Sequence, residues 1–196
     1  MDVNVKDIKK LRELTGLGIA DCKNALLKAQ GDIEKAIKIL SSKSKDIAQA
    51  KQGREVSQGV ISAYIHSNKK IGVLVELLCE TDFVARLPEF EELAHEIALQ
   101  VAATNPLWLS KDDVPEEVKQ EQKAFFLQEI DANKPPEIKE KILQGKLEQF
   151  YKQNCLLSQP YIKDDKITVE DLIKQKIGVL KENIKVGKFV RLTLGA

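Results

Sequence analysis

The sequence has little net charge and no long hydrophobic run, and each absence excludes a class of protein. Its 31 Lys and Arg residues balance 30 Asp and Glu residues, which leaves a formal charge of +1. Nucleic-acid-binding domains ordinarily carry a marked basic excess that neutralises phosphates, so direct nucleic-acid binding is not expected. No apolar stretch reaches the ~18 residues that a membrane-spanning helix needs. We therefore expect no membrane segment.

Cysteine and histidine are also scarce, and their spacing predicts neither disulfides nor a metal site. The three cysteines, Cys22, Cys79 and Cys155, lie far apart and form no CxxC pair, which indicates reduced, buried thiols in a cytoplasmic protein. His66 and His95 have no metal-ligand spacing to a cluster of cysteines or carboxylates. Residues 1–10 alternate charged and apolar side chains, so we expect no secretory signal. The helical pattern begins so early that we expect no transit peptide either.

The motifs of common catalytic sites are missing as well. The chain has no GxxxxGK[ST] phosphate loop, no GxSxG nucleophile turn and no HExxH zinc helix. Sequence alone does not exclude a nucleophilic pair of Cys79 and His66, although a buried structural cysteine is the commoner case. We expect no enzymatic activity, no cofactor and no metal, which favours a protein-binding role.

Apolar periodicity predicts three short helices in the first 40 residues. Glycines at positions 16, 18 and 31 are expected to end the first two helices, and Asp32 to cap the third. The inward positions are Val5, Ile8, Leu11 and Leu14 in the first helix, Cys22, Ala25, Leu26 and Ala29 in the second, and Ile33, Ala36, Ile37 and Leu40 in the third. Residues 41–58 are polar and predict a linker, with a solvated helix as the alternative. The predicted domains are thus 1–40, the linker 41–58 and 59–196.

The second domain predicts an antiparallel sheet with several helices, which makes the fold class α+β. Residues 60–66 and 71–79 are rich in β-formers and flank a short polar turn, a pattern typical of a hairpin. Residues 71–79 carry apolar side chains on both faces, so this strand should be central, and residues 188–194 predict a third strand. A helix is expected to begin at Pro88, with one apolar face made of Phe90, Leu93, Ala94, Ile97 and Val101. A second helix is expected to begin at Pro115, to carry Val118 and Phe125, and to break at residues 135–136. A third places Ile138, Ile142, Leu143 and Phe150 on one side, and a fourth runs from about Thr168 to Leu180.

Two stretches carry a specific resemblance to a known family. Residues 15–26 read TGLGIADCKNAL and are followed by GDIEKAI, while residues 79–86 read CETDFVAR at the predicted end of a strand. Both runs resemble elongation factor Ts, and the likeness extends over about residues 5–195. It implies an N-terminal three-helix, ubiquitin-associated-like module joined to an α/β dimerisation domain with a three-stranded antiparallel sheet. The chain is too short for the two subdomains of long members, so it resembles the short form, which implies a homodimer.

The resemblance also implies a function and the residues that perform it. It implies a guanine-nucleotide exchange factor that binds elongation factor Tu with GDP, dislodges Mg²⁺ and promotes GDP release so that GTP can rebind. The expected complex contains two copies of each protein. The segment implied to dislodge Mg²⁺ is Thr81, Asp82, Phe83 and Val84, with the Phe83 ring inserted into the partner. Secondary contacts are implied for Arg12, Leu17, Gly18, Ile19, Lys23 and His66.

Simpler interpretations exist for the same positions. Phe83 and Ile19 would ordinarily be core residues, Asp82 a helix cap, and His66 a solvent-facing side chain at a strand end. Two other functions also compete with nucleotide exchange. One is an adaptor that binds peptides or proteins through residues 1–40, which the TDFVA segment counts against. The other is a small thiol enzyme that uses Cys79 and His66.

Overall fold

The computed structural model describes residues 3–131 and 133–195, and it has the predicted α+β architecture. Its elements in chain order are the helices α1 (Val5–Thr15), α2 (Ile19–Lys28) and α3 (Ile33–Lys51), the strands β1 (Gln58–Ile65) and β2 (Ile71–Cys79), the helices α4 (Asp82–Ala85), α5 (Pro88–Thr104), α6 (Glu116–Glu129) and α7 (Pro136–Asn154), a 3-10 turn (Leu156–Ser158), the strands β3 (Pro160–Tyr161) and β4 (Asp164–Thr168), helix α8 (Val169–Leu180) and strand β5 (Lys185–Thr193).

The contacts of the chain divide it into two compact units. The first comprises residues 3–61, 76–94 and 171–187, and the second comprises the other described residues, 62–75, 95–131, 133–170 and 188–195. Each unit therefore draws on distant parts of the sequence. The predicted domain limits at residues 40 and 58 remain a prediction.

Helices α1 to α3 pack around a small apolar core in the first unit. Gly16 ends α1 with a left-handed φ of 68°, and its N–H donates to the carbonyl of Arg12 at 2.7 Å. Asp32 caps α3 as predicted, its Oδ1 accepting from the N–H of Lys35 at 3.0 Å. The core of these helices contains Ile8, Leu11, Leu17, Cys22, Ala25, Leu26, Ala29, Ala36 and Leu40. The inward positions predicted for α2 are confirmed.

The inner face predicted for α1 is wrong at both ends. Ile8 and Leu11 are buried, whereas Val5 and Leu14 are exposed. An α-helix turns about 100° per residue, so a threefold repeat drifts about 60° at each step. Val5 and Leu14 consequently lie on opposite sides of the helix. Ile37 of α3 was also predicted to face inward and is exposed instead.

The polar stretch after residue 40 is helical through Lys51, because α3 continues into it. Ser44 and Ala48 are buried there, and Ser44 packs against Gly178 of α8 within the first unit. The Nζ of Lys45 lies 2.7 Å from Oδ1 of Asp171. Small residues spaced four apart thus give a polar-looking segment an inner face.

The sheet has the order β1-β2-β5, with β2 central as predicted. One face of β2 is buried through Val73, Val75, Leu77 and Cys79. Strands β3 and β4 form a separate two-stranded sheet that the sequence did not predict. The inner face predicted for α5 is confirmed, since Phe90, Leu93, Ala94, Ile97 and Val101 are all buried.

Helices α6 and α7 bury few side chains, none in α6 and Leu143 in α7. Phe125, which the sequence places on the helix after Pro115, is exposed, and so is Ile138, which it places on the apolar side of the next helix. The neighbouring ring of Phe126 is the more shielded one, with the Nζ of Lys146 lying 5.5 Å from its centroid. Two helices that pack mainly on each other shield only a narrow stripe. Within 3–131 and 133–195, no helix is long and apolar enough to cross a membrane.

Candidate functional site

The segment predicted to act on a partner follows β2 directly and forms the single turn of α4. Thr81 has extended backbone, with φ −128° and ψ 155°, and it caps α4. Its Oγ1 accepts from the N–H of Val84 at 3.4 Å, and its carbonyl accepts from the N–H of Ala85 at 3.2 Å. A capped first turn fixes the direction in which the next side chains leave the backbone. Residues 81–84 are called the 81–84 loop below.

Phe83 projects from the 81–84 loop with 81% of its surface exposed. The interpretation of Phe83 as a core residue is therefore wrong. Val84 and Ala85 turn inward instead and are buried. The Asp82 carboxylate is half exposed and lies 3.1 Å from the guanidinium of Arg86. The loop thus presents an aromatic ring beside a carboxylate, and the role of this pair stays a prediction.

The backbone of the 81–84 loop is held by residues at the far end of the chain. Oε2 of Glu182 accepts from the N–H of Glu80 at 3.1 Å and from the N–H of Thr81 at 3.0 Å. Oε1 of Glu182 accepts from the Thr81 hydroxyl at 2.6 Å. Nothing in the sequence marks this interaction, because about a hundred residues separate the partners.

Asn183, the residue after Glu182, adds one bond to Glu80 and another to the segment that precedes β1. The N–H of Asn183 donates to Oε1 of Glu80 at 2.6 Å, and its side-chain amide donates to the carbonyl of Arg54 at 2.8 Å. The Asn183 N–H holds the pKa of Glu80 below its usual value, against the opposing effect of partial burial and with help from Arg54. Glu80 is therefore a carboxylate that remains ionised and keeps this contact.

Cys79 lies at the end of β2, buried beneath the loop. Its thiol donates to the carbonyl of Thr81 at 3.2 Å. Burial, followed by the nearby charge of Glu182, raises the pKa of this thiol to about 11. A protonated thiol is a donor and a poor nucleophile. The geometry therefore gives no support to a thiol enzyme built on Cys79.

The other predicted contacts of the first unit surround the turn between α1 and α2. Ile19 is 58% exposed, so its interpretation as a core residue is wrong. Gly18, Arg12 and Lys23 are also exposed. Leu17 differs, because its side chain is only 4% exposed and belongs to the core of the three helices. Its contribution is to anchor the turn that presents Ile19.

His66 follows β1 in the second unit and is exposed. Its Nδ1 lies 3.0 Å from the hydroxyl of Tyr64, whose ring also meets His95 edge-on at 5.9 Å between centroids. The bond at Nδ1 orients the ring and leaves Nε2 directed elsewhere. In the part of the chain that the structure describes, no three His, Cys, Asp or Glu residues form a group that could hold a metal ion.

Comparison with known proteins agrees with the resemblance carried by these residues. The family model for elongation factor Ts matches residues 7–196. Elongation factor Ts of Pseudothermotoga lettingae is 49% identical over 196 residues, which cover 100% of this chain and 99% of that protein. The protein of the same name from Coprothermobacter proteolyticus is 50% identical over 196 residues and 100% of both chains. That of Thermotoga maritima is 50% identical over 195 residues, 100% of this chain and 98% of its own. The chain therefore belongs to the elongation factor Ts family and is a translation elongation factor.

Proposed function

We propose that this chain is a cytoplasmic guanine-nucleotide exchange factor for elongation factor Tu. It binds the GDP-bound partner, dislodges Mg²⁺ and promotes GDP release, so that GTP rebinds during elongation. The family supports this function, and one observation carries the proposed mechanism. Phe83 is 81% exposed on a loop whose backbone is held by hydrogen bonds. An exposed aromatic ring contributes little to its own fold and gains by burial in a partner.

The proposed mechanism depends on the strict geometry of a bound Mg²⁺ ion. Mg²⁺ requires near-ideal octahedral coordination, so a small displacement of its ligands costs much of the affinity. A phenyl ring pushed into a close-packed site moves a helix because packed interiors shift before they compress. Phe83 supplies that ring, and the carboxylate of Asp82 supplies a negative charge beside it. Thr81 and Val84 set the direction of both.

The remaining predicted contacts give the complex area and orientation. The turn at Gly18 and Ile19 offers a small apolar surface, and Arg12 and Lys23 beside it are exposed cations that suit acidic groups. Leu17 supports this turn from within the core. His66, held by Tyr64, is proposed to approach the phosphate-binding loop of the partner. These contacts bind the partner, and the 81–84 loop acts on the ion.

We also propose that two copies of this chain associate through the sheet in a complex with two copies of the partner. Five large apolar side chains of the second unit are exposed on or beside the strands: Ile65, Leu74, Val190, Leu192 and Leu194. An extended apolar patch on a protein surface marks an association site. A second copy would cover it with an identical patch, as twofold symmetry requires.

Release of a fluorescent GDP analogue from elongation factor Tu tests the proposed function. The unaltered chain is expected to accelerate release strongly, and Phe83→Ala to reduce that acceleration by about tenfold or more, the scale of a lost interface anchor. Thermal unfolding of the variant should be unchanged, since the ring is exposed. Phe125→Ala is the matched control, because Phe125 is an exposed phenylalanine of α6.

Two results would contradict the proposal. Absence of any acceleration by the unaltered chain would exclude an exchange function with this partner. Equal losses in Phe83→Ala and Phe125→Ala would show that the ring of the 81–84 loop has no special role. A loss confined to Phe83→Ala, with folding retained, supports the mechanism.

A further inference from the structure

The 81–84 loop lies where β2 stops, so its first peptide groups lack the ladder bonds of a strand interior. The N–H groups of Glu80 and Thr81 both donate to one oxygen of Glu182. A carboxylate that accepts two backbone N–H groups forms charge-assisted bonds, which are stronger than bonds to a neutral acceptor. One side chain therefore replaces the missing strand partner at the root of the loop.

The carboxylate of Glu182 also fixes the direction in which the Thr81 hydroxyl points its proton. That hydroxyl has a single proton, which it donates to Oε1 of Glu182 at 2.6 Å. Its lone pairs are then available to the N–H of Val84, at 3.4 Å, which is the capping bond of α4. The orientation of the cap that precedes Phe83 thus depends on Glu182.

Glu182 is itself held in place. Lys181 has a left-handed φ of 61°, which is unfavourable for a residue with a side chain and turns the chain sharply after α8. Asn183, which follows Glu182, is buried and donates to the carboxylate of Glu80 and to the carbonyl of Arg54. Glu182 therefore lies between a sharp turn and a bonded, buried neighbour, and its carboxylate has little freedom to leave the loop.

We propose that Glu182 is a positioning residue for the 81–84 loop and sets the direction in which Phe83 leaves the protein surface. This inference rests on the proposed function, because it assigns Phe83 the active role. An exposed loop that samples many orientations loses binding free energy each time it is ordered by a partner. Glu182 removes that cost in advance by fixing two peptide groups and one cap before the partner arrives.

The direct test measures the loop in the full chain without a partner. Glu182→Ala is expected to increase hydrogen exchange at the amides of Glu80 and Thr81 by about tenfold or more, because both lose their acceptor. Glu182→Gln should show a smaller increase, since its amide oxygen can still accept from both. Glu92→Gln is the matched control, as it neutralises an exposed carboxylate of the same unit that pairs loosely with Lys176 at 3.8 Å.

The second readout is GDP release from elongation factor Tu in a double-mutant cycle. Glu182→Ala is expected to lower the acceleration towards that of Phe83→Ala, and Glu182→Gln to have an intermediate effect. A positioning residue acts through Phe83, so Glu182→Ala should add nothing in the Phe83→Ala background. A residue that only stabilises the fold would give additive losses.

The outcomes separate the two proposals. If Phe83→Ala accelerates GDP release from elongation factor Tu as much as the unaltered chain does, the proposed role of Phe83 fails. Hydrogen exchange at Glu80 and Thr81 still shows, independently, whether Glu182 fixes the loop. If Phe83→Ala loses the acceleration of GDP release and Glu182→Ala retains it, the positioning role of Glu182 is overturned. Additive losses in the cycle overturn it as well. If Glu182→Ala does not fold, the same two measurements are made on Glu182→Gln. Unchanged hydrogen exchange at the amides of Glu80 and Thr81, together with full acceleration of GDP release, then overturns the positioning role.

Discussion

Cys79 and Phe83, four positions apart, differ completely in their exposure. The thiol of Cys79 is fully buried and donates to the carbonyl of Thr81, whereas the ring of Phe83 is almost fully exposed. Cys79 ends β2 on its buried face, and the single turn of α4 then directs Val84 inward and Phe83 outward. The chemistry of the two residues follows from this difference, because burial protects the thiol and exposure leaves the ring available to a partner.

We expect Cys79 to react slowly with iodoacetamide in the native protein. Burial is the main cause that raises the pKa of this thiol from its ordinary value of 9.0 to about 11. At pH 8 a pKa of 11 leaves about one thiolate in a thousand, against about one in ten for a pKa of 9, so reactivity should fall roughly a hundredfold from this cause alone. Alkylation followed by peptide mass spectrometry measures each cysteine separately.

The same protein unfolded in guanidinium chloride is the control, and there all three thiols should react at the rate of a free cysteine. Cys79→Ser retains a donor for the carbonyl of Thr81 and should retain exchange activity with elongation factor Tu. Rapid native alkylation of Cys79 at pH 8, or loss of activity in a folded Cys79→Ser protein, would restore the thiol enzyme as an explanation.

How well the buried face of each helix could be predicted from the sequence depended on how regularly its apolar residues recur at helical spacing. Helix α5 was placed correctly on its inner face, since its apolar residues recur at intervals of three and four. Helix α1 was misassigned because a strict interval of three drifts around the helix, which leaves Leu14 exposed. The loop residues were recognised by resemblance, but Glu182 was not, because no local pattern reports a bond to residues about a hundred positions away.

The contact between α3 and α8 gives a stability prediction at this scale. A Cβ added to Gly178 would lie only 2.7 Å from Cβ of Ser44, which is too close, and 3.2 Å from its Cα, which is a tight contact. Gly178→Ala should therefore lower the melting temperature, even though Ala is the better helix former by up to ~1 kcal/mol. Differential scanning calorimetry measures the change, and Ser44→Gly added to Gly178→Ala should recover part of the loss.

Gly145 provides the matched control for this prediction. It lies in the middle of α7, and a Cβ added there would meet nothing within 4 Å. Gly145→Ala should therefore raise the melting temperature, because only the helix preference changes. A stabilised Gly178→Ala protein would show that α3 and α8 separate at little cost and that their contact is loose.

For the whole molecule, exchange is a coupling between two ligands of one partner. Whatever weakening the factor imposes on GDP, GDP imposes equally on the factor. A change in affinity of about 10⁴ corresponds to roughly 5.5 kcal/mol, which a single exposed ring cannot supply. A coupling of that size would therefore require further contacts with the partner besides the proposed one at Phe83.

The dimer proposed from the exposed apolar side chains of the strands can be tested by measuring the mass of the protein in solution. Sedimentation equilibrium at micromolar concentration should give a mass near twice the 22.0 kDa of one chain. Leu192→Lys should shift the protein towards the monomer, because Leu192 is exposed on β5 and a dimer would bury a charge there. Leu107→Lys is the matched control, as Leu107 is an exposed leucine outside the strands. A monomeric unaltered chain would contradict the dimer, whereas a monomeric, folded Leu192→Lys protein with reduced exchange activity would show that pairing of two copies is needed to complete the surface that acts on elongation factor Tu.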